Sequence, residues 1–384
     1  MKSYNPIAMG LGLLLTSALQ AAGATTLRVA SYNVNLDTGF GGSGQLPALE
    51  AVLEGIGQMP LNDNGTSHSQ PIDILALQEL ARPSGNNPSP SLQTLVNQLN
   101  ASYGAGTYAF ITTPDPTDAG TTGNGPNGLI YNTKTVQFVS AITLGIASGS
   151  GAPRAPIQYT LQPVGYSSSA AFYVDVSHAK SGTDSTSASR RNIEATTIVN
   201  SLHSLPANSH VIALGDFNIT SGSSEPTYQT LRTGFDDPAV PSGVWDDSSS
   251  TTRKQISNLL SESATGVRYR DDIQFVTSAA NSSSAFPGLQ YDAGSFNVFG
   301  NGGSTSLPGN SVNSSSNIGA LPSFSTTQRS ALLFDLTEAS DHLPIVADYD
   351  VVGISPIGAP EPATGLLLLA TIPIACYKRR TRLP

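Results

Sequence analysis

The 384-residue chain is short of cysteine, of charged side chains and of long apolar runs. Its only cysteine is Cys376, near the C-terminus, so disulfides cannot stabilise the folded part. Charged residues make up 12 %, about half the usual share. Apolar residues at 39 % and aromatics at 7 % still suffice for a core. The profile is typical of an exported protein whose long polar loops are solvated by hydroxyls and amides.

Lys and Arg are few in the folded part of the chain. The formal net charge is −9, but five of the 18 Lys and Arg lie in the two end segments. Without those segments, 13 basic residues face 26 acidic ones, which gives −13. Non-specific binding of polyanions needs Lys and Arg that displace counterions, so a broad basic footprint is excluded. An acidic surface slightly favours a metal-using enzyme over a charge that serves only solubility.

Both ends of the chain are predicted to be processing segments. Residues 1–24 carry one Lys, then an apolar run over 9–15, then small residues, which is the pattern of a secretory signal peptide. The other end is divided into a linker with a Pro-Glu-Pro motif, a short transmembrane or sorting segment, and a basic tail: residues 353–362, 363–377 and 378–384. The basic end is expected to stay inside, and a plain single-span anchor is the alternative. We therefore expect one folded domain over residues 25–352.

Buried strands alternate with amphipathic helices in this domain. The apolar run 211–214 predicts a strand covered on both faces, and Gly215 is expected to end it in a tight turn that exposes Asp216 and Asn218. Helical spacing of apolar residues is predicted over three stretches: 49–56, 92–99 and 190–205. Residues 281–325 are rich in Ser, Gly and Asn and are predicted to be a large, partly disordered surface insertion. The alternation indicates a layered α/β fold.

Polar side chains recur where the predicted strands end. The set is Asn33, Asn35, Glu79, His178, Asp216, Asn218, Asp272, Asp341 and His342. Each one alone is better explained as a cap or a loop start, but their recurrence at separate strand ends favours one shared site. Carboxylate and amide oxygens without cysteine suit Mg²⁺, Mn²⁺ or Ca²⁺ better than structural zinc. Such an ion points to phosphate chemistry, with a base that takes a proton from water.

Six motifs carry a family resemblance. In order, they are SYNVN, DILALQE, SHAKS, GDFN, DDIQFVT and SDHLPIV. Together they resemble the motifs of the endonuclease/exonuclease/phosphatase superfamily over about residues 27–351. The resemblance implies a four-layer α/β/β/α sandwich of two packed mixed β-sheets flanked by helices, with the site at one rim of the sheets. The last 25 residues are similar to the PEP-CTERM tails of exported bacterial proteins, which a dedicated sorting enzyme processes.

The resemblance also implies a metal centre. It makes Glu79 the main ligand of Mg²⁺, or of Mn²⁺ or Ca²⁺, and places three residues near the ion, directly or through water: Asn33, Asn35 and Asp341. Asn35 stands where many relatives have Asp, which lowers the negative charge at the ion. These four residues are therefore the predicted metal site.

Catalytic roles are implied for five further residues. His342 is expected to be the general base or its electrostatic equivalent, oriented by Asp272, since a carboxylate holds an imidazole in one tautomer. Asp216 and Asn218 are expected to position the attacking water and a phosphoryl oxygen. His178 is expected to face the scissile phosphate as a donor or general acid. The choice of Asp272 over Asp271 depends on how the apolar residues of that strand are aligned.

The implied activity is divalent-metal-dependent hydrolysis of a phosphodiester by activated water, with nucleic acid as the first substrate to test. One alternative is a phospholipid, sphingolipid or small phosphate ester, which requires an exposed apolar loop beside the site. The aromatic candidates for that loop are Phe286, Tyr291, Phe296 and Phe299. Another alternative is a non-catalytic surface or matrix protein on the same fold. We further expect a monomer in the cell envelope or medium, with transient membrane association through the C-terminal segment.

Overall fold

The structure is a computed structural model in which most of the predicted domain is described. The described residues are 26–36, 45–63, 66–81, 89–111 and 125–357. The predicted signal peptide, the apolar sorting segment and the basic tail all lie outside these ranges. Among the described residues, no helix combines the length and apolar character needed to cross a membrane.

Fourteen strands and six α-helices are described within these ranges. The strands are β1 (Thr26–Asn33), β2 (Pro60–Asp63), β3 (Thr66–Ser69), β4 (Ile74–Gln78), β5 (Tyr108–Phe110), β6 (Gly128–Asn132), β7 (Val136–Thr143), β8 (Ile157–Pro163), β9 (Phe172–His178), β10 (Val211–Asp216), β11 (Asp272–Val276), β12 (Gly288–Tyr291), β13 (Asn297–Val298) and β14 (Ile345–Val352). The helices are α1 (Gln45–Gln58), α2 (Ser89–Tyr103), α3 (Ser185–Ser201), α4 (Pro226–Leu231), α5 (Ser250–Arg253) and α6 (Thr326–Ala339).

The strands form two mixed sheets and a separate hairpin. The seven-stranded sheet has the order β12-β14-β1-β4-β6-β5, with β13 beside β14. Only β1 and β4 are parallel in it. The five-stranded sheet has the order β11-β10-β9-β8-β7, with β9 and β10 parallel. Strands β2 and β3 form the hairpin.

The two large sheets pack face to face through apolar side chains. Val29 and Ala76 of the first sheet share one fully buried cluster with Val174 and Leu214 of the second. The opposite faces are covered by helices: α1, α2 and α6 over the first sheet, and α3 and α4 over the second. Both faces of the central strands are therefore dry, which explains why their sequences are continuous apolar runs. The predicted four-layer sandwich is confirmed.

Gly215 corrects one prediction about the central strand. It does not end the strand in a turn, because β10 continues through Asp216. Its φ is +141°, and a Cβ at this position would lie 1.9 Å from the carbonyl oxygen of Ser177 in β9. Glycine is therefore required for the close approach of two paired strands, and the polar groups follow one residue later.

The prediction for residues 281–325 is also wrong where it expected a partly disordered surface insertion. The stretch contributes β12 and β13 to the first sheet, and Phe299, Leu307 and Val312 are fully buried. In this stretch, side-chain amides form hydrogen bonds with backbone groups. Asn317 donates to the carbonyl oxygens of Gly300 and Val312, both at 2.7 Å. A Ser, Gly and Asn composition can therefore pack when its amides satisfy buried backbone groups.

Candidate active site

The predicted polar residues meet at one rim of the two sheets. Parallel pairing of β1 with β4 aligns Asn33 with Gln78, so that Glu79 follows at the same edge. In the second sheet, Asp216 is paired with His178 on one side and with Asp272 on the other. This register alone brings three predicted residues of separate strands side by side.

Asn33 links the carboxylates of the two sheets. Its Nδ2 donates to Glu79 Oε1 at 3.1 Å and to Asp216 Oδ2 at 3.0 Å. All three side chains are buried. Glu79 has a φ of +55°, a left-handed conformation that is uncommon outside glycine and that clusters at functional sites. The Glu79 backbone is thus held in an unfavourable conformation at the point where the Glu79 carboxylate enters the site.

Asn35 and Asn218 also have left-handed backbones, with φ of +45° and +51°. Asn35 Nδ2 donates to Asp341 Oδ1 at 2.9 Å, and the Asn35 backbone N–H donates to Asn33 Oδ1 at 3.1 Å. Asn218 receives support from Asp216, whose Oδ1 accepts the Asn218 backbone N–H at 2.9 Å. The amide nitrogens of Asn33 and Asn35 face carboxylates, so both amides position acidic side chains of the site.

His342 is held by a carboxylate from the neighbouring sheet. Its Nδ1 lies 2.8 Å from Asp272 Oδ2, and its Nε2 lies 3.8 Å from Asp216 Oδ2. Burial lowers the pKa of His342, but Asp272 and Asp216 outweigh it and raise that pKa well above its usual value. The Ser340 hydroxyl accepts the His342 backbone N–H at 3.1 Å and donates to the Asn33 carbonyl oxygen at 2.6 Å. The ring therefore points a single nitrogen, Nε2, into the site.

The structure also distinguishes the two adjacent aspartates. Asp272 contacts His342, whereas Asp271 shares a hydrogen bond with Glu262. Burial, followed by Glu262, raises the pKa of Asp271 well above its usual value, so Asp271 is the protonated partner of that pair. The prediction that Asp272 orients the histidine agrees with this geometry.

His178 has different surroundings. Its Nε2 lies 3.4 Å from Asp216 Oδ2, 3.6 Å from Glu79 Oε1 and 3.0 Å from the Nη2 of Arg154. Burial, followed by the charge of Arg154, lowers the pKa of His178 well below its usual value. The pKa shift of His178 is thus opposite in direction to that of His342.

Glu79, His178 and Asp216 could together hold a metal ion. One ligand atom from each lies within 4.8 Å of the others, and all three residues are buried. Burial raises the pKa of Glu79, and it raises the pKa of Asp216 to about 7. Two desolvated carboxylates at one point are stabilised by a cation, so the donor set fits a divalent ion. Asp341, another predicted ligand, reaches this group through Asn35.

Sequence reasoning missed Arg154 and the supporting serines. Arg154 lies 24 residues before His178, in a loop with no periodic pattern. Ser340 stands directly before the Asp341 and His342 pair, and Ser261 accepts the Asp272 backbone N–H at 3.1 Å. The signals available in the sequence were the prolines that flank Arg154 and the serine of the SDH motif.

Comparison with known proteins identifies the fold. Neither a protein-family model nor a curated protein sequence matches the chain. Among solved structures, a humanized TDP2 from D. rerio has a TM-score of 0.51 and 17% identity, covering 85% of this chain and 100% of that one. D. rerio TDP2 complexed with a single-strand DNA product has a TM-score of 0.50, with the same identity and coverage.

An endonuclease/exonuclease/phosphatase from Bacteroides vulgatus has a TM-score of 0.47 and 14% identity, covering 85% of this chain and 100% of that one. The fold is therefore similar to that of the two TDP2 structures. Within this fold, the residues predicted from the sequence all lie at the rim described above.

Proposed function

We propose that the protein is a divalent-metal-dependent phosphodiesterase that hydrolyses a P–O bond by attack of water. The observation that carries the proposal is the convergence of Glu79, His178 and Asp216 with the Asp272–His342 pair at one rim. Two histidines whose pKa values are shifted in opposite directions and two buried carboxylates are the groups that acid–base hydrolysis requires.

The chain's own residues divide the work as follows. Asp272 holds the Nδ1 proton of His342, and in the neutral form of the ring the Nε2 atom accepts a proton from the attacking water. Asp216 lies beside that nitrogen and accepts the Asn218 backbone N–H, and these two residues orient the water and a phosphoryl oxygen. Glu79 would hold Mg²⁺, with Asp216 as its partner. The ion supplies Lewis-acid polarisation of the phosphoryl oxygen when it is bound.

A nucleic-acid strand is the substrate that we propose first. A structure with the same fold contains TDP2 with a single-strand DNA product, which supports a phosphodiester substrate here. Because the folded domain is strongly acidic, we expect it to recognise nucleic acid locally at the site and not through a broad basic surface. The affinity for nucleic acid should therefore depend less on salt concentration than is usual for a nuclease.

The lipid alternative lacks the apolar loop that it requires. Tyr291 and Phe299 are buried, and Phe296 is partly buried against the apolar clusters of the core. Phe286 is exposed near His210, at the opposite end of β10 from Asp216. None of these aromatics therefore borders the site. No observation on the described residues favours a lipid substrate.

The test is a panel of phosphodiesters with and without a chelator. Bis(4-nitrophenyl) phosphate, single- and double-stranded DNA, and RNA are incubated with Mg²⁺ or Mn²⁺. His342→Ala and Glu79→Gln should each reduce the rate at least 100-fold. His203→Ala is the matched control, because His203 is an exposed histidine away from the site. Equal activity of His342→Ala and wild type would rule out the mechanism.

We also propose export, with removal of residues 1–24 and processing of the tail after the Pro-Glu-Pro motif. The sequence patterns of the two ends support this proposal. Cell fractionation combined with N-terminal sequencing tests it, and full-length protein retained in the cytoplasm would contradict it.

A further inference from the structure

Asn127 is a buried amide whose polar atoms the fold does not use. It directly precedes β6, and its side chain is 1% exposed. Neither its Nδ2 nor its Oδ1 forms a hydrogen bond within the described part of the chain. Burying an amide without hydrogen bonds costs free energy, and such groups are rare in folded proteins. Asn127 thus keeps a donor and an acceptor for something other than the surrounding protein.

Strand pairing places Asn127 in one row with residues of the site. Asn33 of β1 is paired with Gln78 of β4. The antiparallel register of β4 and β6 then sets Gln78 opposite Asn127. Neighbouring strands lie about 4.8 Å apart, so Asn127 lies about 10 Å from Asn33 in the plane of the sheet. Asn127 is therefore at the rim that carries Glu79, which follows Gln78.

The side chain of Asn127 lies on the face of the first sheet that is turned toward the second sheet. Alternate residues of a strand share a face, and Leu129, two residues later, belongs to the apolar cluster between the sheets. Asn33 occupies the same face of its own strand, since its amide reaches Asp216 of the second sheet. The amide of Asn127 is therefore on the same side as the candidate metal group.

The other asparagines of the rim already use their amide nitrogens. Asn33 and Asn35 donate through Nδ2 to carboxylates of the site. Asn218 donates through Nδ2 to a backbone carbonyl oxygen at 3.2 Å. Among the described asparagines at this rim, Asn127 alone has an amide that no protein atom engages.

A phosphodiester that enters this rim needs neutral donors. It is an anion, and it must approach the buried carboxylates of Glu79 and Asp216. An N–H group that donates to a charged oxygen forms a stronger hydrogen bond than one that donates to a neutral oxygen. Donors aimed at a phosphoryl oxygen also stabilise the charge that develops in the transition state. An unused amide on this face of the sheet has the chemistry for that contact.

We infer that Asn127 is a substrate-binding residue whose amide Nδ2 donates to a phosphoryl oxygen. This inference rests on the proposed phosphodiesterase function and adds a residue outside the six sequence motifs. Asn127 is no more buried than Asp216, on which the proposed function also depends. A phosphate bound here satisfies a polar group that the protein alone leaves unpaired.

Substitutions at the two ends of β6 test this role. Asn127→Leu keeps a branched side chain without polar atoms, and Asn127→Ala is the second variant if leucine is too large for the space. Asn127 makes no hydrogen bond in the free protein, so at least one of these variants should unfold at the same urea concentration as wild type or higher. Asn132→Leu is the matched control. Asn132 is also buried, but its Oδ1 accepts the Lys134 backbone N–H at 3.0 Å, so its loss should lower the urea midpoint.

Turnover of bis(4-nitrophenyl) phosphate gives the first readout. Both Asn127 variants should lose roughly 10- to 100-fold in kcat/KM, the usual effect of removing one hydrogen bond to a charged group. Asn132→Leu should stay within about 3-fold of wild type. Equal kcat/KM of wild type and a folded Asn127 variant would overturn the inference.

Binding of inorganic phosphate gives a second readout, without turnover. In calorimetry with Mg²⁺ present, wild type and Asn132→Leu should bind phosphate equally, and both Asn127 variants should bind it about 10-fold more weakly. If Asn127 only holds an internal water molecule, its variants lose stability but keep their phosphate affinity, and the inference is wrong. Absence of phosphate binding by wild type would also overturn it. If wild type cleaves no phosphodiester, the proposed function fails, while the phosphate affinities still test the role of Asn127.

Discussion

Replacing Gly215 by alanine should disrupt the pairing of β9 with β10, which aligns His178 with Asp216 in the site. The added Cβ would lie 1.9 Å from the Ser177 carbonyl oxygen, and its next two neighbours, at 2.9 and 3.1 Å, are also backbone atoms of Ser177. A backbone neighbour cannot rotate away as a side chain can. To reach ordinary contact at 3.4 Å, β9 and β10 must separate by about 1.5 Å.

The magnitude follows from three contributions. Positive φ costs an alanine about 1–2 kcal/mol, and overpacking costs about 1–3 kcal/mol. One or two strand hydrogen bonds lengthen beyond their useful range, at about 1 kcal/mol each. These contributions overlap, so we expect the free energy of unfolding to fall by roughly 3–5 kcal/mol, a large part of the usual 5–15 kcal/mol.

Urea unfolding measures this loss, with the fluorescence of Trp245 as the probe, because it is the only tryptophan and is buried. Gly309→Ala is the control, since Gly309 has a φ of +85° but nothing within 4 Å of the added Cβ. The control should lose only about 1–2 kcal/mol. Gly215→Ala should also bind a divalent cation more weakly, because His178 and Asp216 move apart with their strands. A Gly215→Ala protein as stable as the control would refute the reasoning.

Three further predictions concern the site and its supporting layer. Asp272→Asn should lower kcat by roughly 10³- to 10⁴-fold, because His342 loses the carboxylate that fixes its tautomer. It should also move the acidic limb of the pH–rate profile to lower pH, because Asp272 raises the pKa of His342. Stopped-time assays from pH 5 to 9 check both effects. Saturating Mn²⁺ should raise Tm by about 3–6 °C, EDTA should reverse the rise, and Glu79→Gln should abolish it in calorimetry. Burial, only partly opposed by a hydrogen bond from Gln158, raises the pKa of Asp175 to about 7. A raised carboxyl pKa means that the folded state binds the extra proton, so its stabilising effect is complete near pH 4 and is lost as the pH rises through 7. Asp175→Asn should flatten this decline in urea titrations at pH 5 and 8, and an unchanged slope would contradict it.

The positions of the site residues were predictable because they depend on strand ends. A buried parallel strand is recognisable as an apolar run, and its last residues lie at the sheet edge. The alternation of strands and helices then predicted that Glu79, Asp216 and His342 lie near each other, although it gave no distances between them. The choice of Asp272 over Asp271 depended on aligning the apolar residues of that strand, because adjacent residues of a strand point to opposite faces.

The failures have a different origin. Arg154 belongs to a loop, and its contact with His178 is set by tertiary packing that leaves no periodic trace. Helix α6 was not predicted, although Ser325 and Gln328 form a capping box at its start, because Phe334 is exposed within its apolar stretch. Residues 281–325 were misjudged since their stability comes from amide hydrogen bonds and a few buried apolar side chains, which composition alone does not reveal.

The antiparallel pairing of β1 with β14 has a consequence for biosynthesis. Thr26 is paired with Asp350, so the first and last strands of the domain are neighbours, and the rim that they border needs Asn33 from one end and His342 from the other. A nascent chain on the ribosome lacks the second of these until nearly the whole domain has emerged. Under the proposed function, the site is therefore incomplete until translation of the domain is nearly finished.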